Sequence, residues 1–257
     1  MTIALTAGEY GQGKPVGILH GLFGAARNWA GIARHLAQRH RVIAFDLRNH
    51  GTSPWADTMD YPEMAEDVRV AMRARGHRGY ALIGHSMGGK VAMTAALTAP
   101  AEIERLVVVD IAPVVYQGSH LGYVQAMCGL DLAAVTRRGD ADKALAGAIP
   151  DPAERAFLLQ NLVLGDGPPR WRPNLAAIEA ALPALSGFPA VPSGTVYGGP
   201  TLFIAGENSD YVCPDYETEI AGLFPNARVV SIASAGHWVQ AEQPDAFLAA
   251  VKPFLAG

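Results

Sequence analysis

The chain has 257 residues, half of them apolar, and carries a formal net charge of −4 without any run of basic residues. This composition is sufficient for one large apolar core, and it excludes the basic patch that a nucleic-acid-binding surface needs. The two cysteines, Cys128 and Cys213, lie far apart in unrelated contexts, so we expect free thiols in a reducing compartment and neither a disulfide nor a metal site.

Short apolar runs alternate with longer segments of helical periodicity along most of the chain. The predicted strands are 2–6, 16–20, 42–46, 80–84, 105–111, 201–205 and 228–233. The predicted helices between them are 29–39, 62–75, 87–98, 214–223 and 244–255. Because the apolar runs lack polar alternation, we expect strands buried on both faces, and hence an α/β fold with a mostly parallel sheet flanked by helices.

The segment 113–199 departs from this alternation. It contains no predicted strand, and its helical pieces are 122–137, 140–148, 152–164 and 173–185. We expect this segment, inserted after the strand that ends at about Ile111, to form a helical cap over a pocket. Residues 1–112 and 200–257 then form the core. The alternative is that the segment adds core helices.

The most informative segment, Gly84-His85-Ser86-Met87-Gly88, lies between a predicted strand and a predicted helix. A serine on such a sharp turn occupies a strained backbone region, at a cost of about 1–3 kcal/mol, and its hydroxyl is exposed beside the N–H groups of the helix. Side chains at Gly84 and Gly88 would collide as strand and helix close up. The pattern predicts a nucleophilic Ser86 at the carboxyl edge of the sheet, where ligands bind in folds of this class.

The same residues also resemble a phosphate-binding loop, because Gly84, Gly89 and Lys90 fit G-x-x-x-x-G-K between a strand and a helix. The apolar strand that ends at Asp110 would then supply the aspartate that holds Mg²⁺. Two observations argue against a nucleotide site. Val91 stands where a hydroxyl should reach the metal, and the histidine motif near the C-terminus would have no role.

A nucleophilic serine needs a general base, and His237 follows the last predicted strand, where its loop can reach the sheet edge. The oxyanion of a tetrahedral intermediate needs N–H donors. Met87 supplies one through its backbone, and Leu22, in a glycine-flanked loop, is the candidate for the other. We expect His85 to shape the turn at Ser86. Four further histidines are interpreted as surface-helix or loop residues: His35, His40, His77 and His120.

Several motifs in register resemble those of the α/β-hydrolase family. They are His20-Gly21 with Trp29 downstream, Asp46-x-Arg48-x-x-Gly51-x-Ser53, the turn at Ser86, and Gly236-His237-x4-Glu242-x-Pro244. More narrowly, HGLFG, DxRNHGxSP, GHSMGGK and VVVDIAPV resemble small bacterial esterases related to the mitochondrial ABHD-type hydrolases. The resemblance covers all but the segment 113–199. It implies the α/β-hydrolase fold and hydrolysis of an acyl ester or thioester through a Ser-His-acid triad, without cofactor.

The acid is where the chain departs from the commonest family pattern. Most members carry an aspartate three residues after a glycine that follows the penultimate strand, and here that position is Ser209. Asp210 comes one residue late, whereas Asp110 ends the preceding strand. The narrower subfamily is understood to take its acid from that strand, with the later serine adding a hydrogen bond. The resemblance therefore implies Asp110 as the acid, Ser209 as an auxiliary and Asp210 as the fallback.

Two further roles are expected beside the triad. Arg48, Asn49 and His50 should brace the neighbouring oxyanion loop, and Glu242 should lie at a helix N-terminus, where a carboxylate is favoured.

The interpretation that follows is a serine carboxylesterase or thioesterase for small to medium acyl chains. Ser86 attacks, His237 transfers the proton, Asp110 orients His237, and the N–H groups of Leu22 and Met87 stabilise the oxyanion. C–C bond hydrolysis, perhydrolysis and lactone opening stay open on the same scaffold, as does a small-molecule receptor with a vestigial site. The sequence determines neither the natural substrate nor the oligomeric state.

The location of the protein is predicted from two further features. The N-terminal residues lack the basic and apolar regions of a signal peptide. No apolar run approaches the roughly 18 residues that would span a membrane. We therefore expect a cytoplasmic protein whose partner is a small-molecule ester or thioester, and neither nucleic acid nor a membrane.

Overall fold

The computed structural model of the protein describes residues 1–117, 120–165 and 167–257. Their strands are β1 (Ala7–Tyr10), β2 (Lys14–Leu19), β3 (His40–Phe45), β4 (Tyr80–His85), β5 (Ile103–Val109), β6 (Leu162–Val163), β7 (Arg170–Trp171), β8 (Thr201–Gly206) and β9 (Ala227–Ile232). Their helices are α1 (Ala30–Leu36), α2 (Tyr61–Ala74), α3 (Met87–Thr98), α4 (Leu121–Gly129), α5 (Arg138–Leu145), α6 (Pro152–Leu159), α7 (Leu175–Ser186), α8 (Glu217–Leu223), α9 (Val239–Glu242) and α10 (Pro244–Ala256). Short 3₁₀ helices cover Ala26–Trp29, Pro100–Glu102, Leu132–Ala134 and Pro214–Tyr216.

The large sheet has the strand order β1-β3-β2-β4-β5-β8-β9. Its strands run parallel except at the β1–β3 edge, which is antiparallel. Every residue of β4 and β8 is buried, because apolar clusters cover both faces of the sheet. One cluster lies under α2 and α3, and the other lies under α1 and α10. The predicted, mostly parallel sheet flanked by helices is confirmed.

The first predicted strand, 2–6, is wrong. The edge strand is Ala7–Tyr10, and the apolar residues before it are held by packing and by side chains. Leu5 is buried in the core, and the N–H of Ile3 donates to Asp67 Oδ1 at 2.9 Å. The apolar pattern therefore reports burial of this segment, although it is not in the sheet.

The segment between β5 and β8, residues 113–199, is here called the helical insert. It is mainly helical, but its first helix ends at Gly129 and is followed by a separate turn, in which Asp131 accepts from the N–H of Ala133. The predicted absence of strands is wrong, because Leu162 pairs with Trp171 in the two-stranded β6–β7 sheet. Its residues 118–119 and 166 lie outside the described part of the chain. Within that part, no helix has the length and hydrophobicity needed to cross a membrane.

A buried ion pair fixes the loop after β3 against α2. Arg48 is 1% exposed and Asp67 is 0% exposed. The guanidinium binds the carboxylate through two bonds, Nε to Oδ2 at 2.7 Å and Nη2 to Oδ1 at 3.1 Å. Arg48 also donates to the carbonyl of Thr58 at 2.9 Å. The pair therefore joins the loop, the helix and the N-terminal segment.

Asp67→Asn is expected to lower the free energy of unfolding by about 3 kcal/mol, because it removes the buried counter-ion of Arg48 and leaves the more exposed Glu63, 2.8 Å from Nη1, as its partner. Urea unfolding followed by circular dichroism measures the change. The matched control is Glu66→Gln, since Glu66 is half-exposed and pairs with Arg69 on the same helix; its loss should cost less than about 1 kcal/mol. Equal effects of the two variants would contradict the assignment.

Candidate active site

Ser86 lies at the turn between β4 and α3, with φ 52° and ψ −120°. For a residue with a side chain this conformation is strained, and here the sheet supports it, because the N–H of Ser86 donates to Val109 O at 3.0 Å. A Cβ on Gly84 would lie 2.1 Å from the carbonyl oxygen of Gly88, and one on Gly88 would lie 2.5 Å from that of His20. Both glycines are therefore required for the turn.

The carboxylate of Asp110 is the point at which several predicted site residues meet. Asp110 follows β5 with φ 51° and is fully buried. Its Oδ2 lies 2.7 Å from His237 Nδ1 and accepts from Ser209 Oγ at 2.5 Å. Its Oδ1 accepts from the N–H of Gly206 at 2.9 Å. Because a carboxylate accepts the Nδ1 proton, this arrangement leaves Nε2 of His237 free to accept a proton.

Asp210 has a different position. It is exposed and lines a cavity that contains Ser86 but not His237. Among the described residues, the carboxylate that His237 contacts is that of Asp110. The structure thus brings Asp110, Ser209 and His237 together and leaves Asp210 apart.

Aromatic rings hold the imidazole of His237 from two sides. The ring of Tyr211 stacks on it, with centroids 4.2 Å apart and planes at 28°. The ring of His85 lies 4.7 Å away, and its Nε2–H donates to the carbonyl of His237 at 2.8 Å. Burial, together with the nearby His237, holds the pKa of His85 well below its usual value. His85 is therefore a neutral residue that shapes the site.

The loop that carries His237 is held by the carboxylate of Glu242. Its oxygens accept from the N–H of Gly236 at 2.6 Å and from the N–H of Trp238 at 3.0 Å, on either side of the histidine. Glu242 was expected to lie at a helix N-terminus. It lies in the first turn of the short, four-residue α9, in agreement with that expectation, and its carboxylate accepts from N–H groups that precede the helix.

The loop after β2 places Leu22 beside the serine. A hydrogen bond from the N–H of Gly24 to Gly21 O, at 2.9 Å, closes its turn. Leu22 and Met87 both line the cavity that contains Ser86. Met87 begins α3, so its N–H has no acceptor within the helix. These two amides stay the candidate donors to an oxyanion.

Two buried histidines support this loop from below. His50 Nε2 accepts from the N–H of Phe23 at 3.1 Å, while its Nδ1–H donates to Arg48 O at 2.9 Å. His20 Nε2 accepts from the N–H of Leu47 at 3.0 Å. Burial lowers the pKa of His50 to about 3, and the neighbouring His20 adds to this effect. Both rings are therefore neutral, as their acceptor roles require.

His50→Gln is expected to weaken the pH dependence of stability. The folded protein excludes a proton that the unfolded chain binds below the ordinary histidine pKa of 6.5. The contribution of His50 to the free energy of unfolding is therefore fully present above that pH. It decreases as the pH drops towards about 3, by up to about 1.4 kcal/mol per pH unit. The glutamine oxygen can still accept from Phe23 but does not titrate, so the slope should decrease.

Urea unfolding at several values from about pH 7 to about pH 4.5 measures this slope. The control is His35→Gln, because His35 is exposed on α1. An unchanged slope in the His50 variant would contradict the assignment.

Two cavities meet at Ser86. The first has a volume of about 530 Å³ and is lined by Met87, Lys90 and Leu185, among others. The second has a volume of about 630 Å³ and includes His237 and Trp238. Ser86 and His237 share the wall of the second cavity without a direct hydrogen bond, a separation that is common in enzymes without substrate. The residues common to both cavities are Leu22, Ser86, His120, Tyr123 and Tyr211.

Two of these shared residues, His120 and Tyr211, were missed by sequence reasoning. His120 was interpreted as a loop residue, and it does lie in the loop directly before α4, but there it lines both cavities. Burial lowers its pKa, with a smaller contribution from His237. Tyr123 and Tyr211 carry no motif. His40, expected on the surface, is buried at the start of β3.

The structure does not support a phosphate-binding loop. The ammonium of Lys90 is buried and donates to main-chain carbonyl oxygens, so it is not available to a phosphate. Among the described residues, no cluster of three or more histidine, cysteine, aspartate or glutamate side chains could hold a metal ion. Cys128 and Cys213 are free thiols.

Comparison with known proteins defines the class. The model of the α/β-hydrolase fold family matches residues 14–244, and the chain belongs to this family. It is 41% identical to the mouse protein named sn-1-specific diacylglycerol lipase ABHD11, over 93% of this chain and 80% of that one. It is 36% identical to Esterase YbfF of Escherichia coli K12, over 98% and 97% of the two chains. A solved structure named Marine microorganism esterase superposes with a TM-score of 0.95 at 35% identity, covering 99% of this chain and 100% of that one.

Proposed function

We propose that the protein hydrolyses carboxylic esters or thioesters through an acyl-enzyme on Ser86. Its family, and relatives named esterase and lipase, make it a carboxylic ester hydrolase. The observation that carries the finer proposal is the 2.7 Å contact between Asp110 and His237, beside a serine held on a strained turn. Asp210 takes no part in this arrangement.

The proposed reaction has two halves. Ser86 Oγ attacks the carbonyl carbon while His237 Nε2 accepts the hydroxyl proton, and the N–H groups of Leu22 and Met87 stabilise the oxyanion. The intermediate collapses, and His237 returns the proton to the leaving oxygen or sulfur. Water then attacks the acyl-enzyme while His237 accepts its proton; the bond between the acyl carbon and Ser86 Oγ breaks, His237 returns the proton to Oγ, and the acid leaves. The Asp110 carboxylate holds His237 in the required tautomer, with Ser209 supporting it.

The two cavities suggest how a substrate lies. The second cavity contains His237, which must reach the leaving group, so we assign the alcohol or thiol to it. The first cavity then holds the acyl chain, and its volume of about 530 Å³ suits a small to medium chain. Leu182 and Tyr116 of the helical insert form part of its wall, which supports a cap role for the insert. Since one relative is named a diacylglycerol lipase, glycerol esters are candidate substrates.

Steady-state hydrolysis of p-nitrophenyl butyrate, combined with labelling by a fluorophosphonate, tests this function. We expect turnover, and one label per chain on the peptide that contains Ser86, with loss of activity in proportion to labelling. A folded protein that is labelled but does not turn over any ester would favour a receptor. Turnover without labelling of Ser86 would contradict the proposed nucleophile.

The proposal includes a cytoplasmic location. The free thiols of Cys128 and Cys213 support it, because thiols stay reduced in that compartment.

A further inference from the structure

Lys90 is buried in a way that is unusual for a lysine. It lies one turn after Ser86 in α3 and is 1% exposed. Burying an ammonium group is unfavourable unless its donors are satisfied. The Nζ group donates to three main-chain oxygens, those of Val114 at 2.8 Å, Gly187 at 2.5 Å and Ser186 at 3.3 Å. Three donors thus meet three acceptors, which is the full capacity of a charged lysine.

These acceptors come from the two ends of the helical insert. Val114 lies at its beginning, and Ser186 and Gly187 lie at the end of α7. The last carbonyl groups of a helix lack intrahelical partners and carry partial negative charge, so a cation is favoured there. The N–H of Tyr116 also donates to Ser186 O, at 3.0 Å. The lysine therefore joins both ends of the insert to the helix that carries the nucleophile.

Aromatic rings complete the surroundings of the ammonium. It lies 4.8 Å from the ring centre of Tyr116 and 5.8 Å from that of Tyr61, within the range of a cation–π attraction. Tyr61 Oη also donates to Leu185 O at 2.6 Å, near the same end of α7. Each contact ties the core to an end of the insert.

The same residues shape the first cavity and reach the histidine. Lys90, Tyr116 and Leu185 line this cavity, so a shift of the ends of the insert would move its wall. Tyr116 Oη donates to the carbonyl of Tyr211 at 2.5 Å, and the ring of Tyr211 stacks on His237. A contact path therefore runs from Lys90 to the face of the general base.

We propose that Lys90 is a positioning residue that joins both ends of the helical insert to α3 and thereby sets the acyl-chain length that the first cavity accepts. This inference rests on the proposed function. The role requires the charged form, because a neutral amine has two N–H donors for three acceptors. Burial lowers the pKa of Lys90 to about 8. The titratable groups that face it, Tyr61 and Tyr116, have raised pKa values through burial and stay protonated while the lysine titrates.

The test compares chain-length selectivity, which is the ratio of kcat/KM for p-nitrophenyl octanoate to that for p-nitrophenyl acetate. The ratio cancels effects that are common to both substrates. Lys90→Met keeps the length of the side chain but removes its donors, and we expect the ratio to change about 10-fold, since a misplacement of 1 Å can cost about 10²-fold in rate. Lys90→Arg keeps the charge and should restore part of the ratio. The matched control is Lys252→Met, because Lys252 is exposed on α10.

Hydrogen exchange supplies a readout that does not depend on catalysis. In Lys90→Met, amides near Tyr116 and at the end of α7 should exchange faster, while those of β8 should not change. A wild-type ratio together with wild-type exchange would overturn the proposal. If the wild type hydrolyses no ester, the proposed function fails, and exchange still tests the link between the insert and α3.

The pH dependence of the wild type keeps the proposal testable if Lys90→Met does not fold. We expect the selectivity ratio to shift as the pH rises from about 7 to about 9, because a buried lysine with a lowered pKa loses its charge in that range. Lys90→Arg, which keeps its proton throughout, should show no such shift. A constant ratio in the wild type across this range would overturn the proposal.

Discussion

Ser86→Ala is expected to lower kcat for ester hydrolysis by about 10⁶-fold, because the nucleophile and its base act as one unit and losing either removes nearly the whole effect. Alanine keeps the Cβ, so the backbone strain at φ 52° is unchanged and the variant should fold like the wild type. Steady-state hydrolysis of p-nitrophenyl butyrate measures the loss, and thermal unfolding confirms the fold.

Ser209→Ala is the matched control for the loss of a hydroxyl at this site. It removes one hydrogen bond to the carboxylate of Asp110. Such a bond to a charged group contributes about 1.5–3 kcal/mol, or roughly 10- to 100-fold in rate, if its loss acts fully on the barrier. Activity of Ser86→Ala within 10-fold of that of Ser209→Ala would remove Ser86 from the role of nucleophile.

Asp110→Asn is expected to lower kcat by about 10⁴-fold, because an amide N–H facing Nδ1 forces His237 into the tautomer that cannot accept the serine proton. Both oxygens of Asp110 accept hydrogen bonds, from Ser209 and from Gly206. If the amide rotates so that its oxygen faces Nδ1, its NH₂ group faces the N–H of Gly206, and that hydrogen bond is lost. The full loss should therefore appear in kcat.

Asp210→Asn provides the comparison, since Asp210 is exposed and apart from His237. We expect kcat close to that of the wild type. Measuring both variants with one ester, at a pH where the wild type is most active, separates the two carboxylates. If Asp210→Asn is crippled and Asp110→Asn is active, the assignment of the acid is wrong.

The turn at Ser86 could be predicted because its causes are local. Two glycines flank the serine, and a Cβ at either position would lie only 2.1–2.5 Å from a carbonyl oxygen. The order of strand, turn and helix is visible in a dozen consecutive residues. The resemblance implied Asp110 as the acid, and its Oδ2 lies 2.7 Å from His237 Nδ1.

Other features of the site depend on the path of the chain and had no local signal. His120 and Tyr123 face Ser86 because of how the helical insert turns. The G-x-x-x-x-G-K pattern that ends at Lys90 suggested a phosphate site. The carbonyl groups that bind Lys90 lie at both ends of the helical insert, far apart in sequence, so they could not be predicted from it. The edge strand was misplaced because Leu5 is buried by packing alone. Apolar patterns report burial and do not by themselves report pairing.

Two of the five described non-glycine residues with positive φ, Ser86 and Asp110, directly follow the neighbouring strands β4 and β5, and this has a consequence for engineering. Each is expected to cost about 1–3 kcal/mol relative to a relaxed residue, so the backbone of the active site lowers the free energy of unfolding. Glycine would relieve this strain at either position, yet it would remove the group that reacts or the group that orients the base. Selection for heat resistance alone would therefore drive this chain towards inactive variants, and libraries for stabilisation should keep both positions constant.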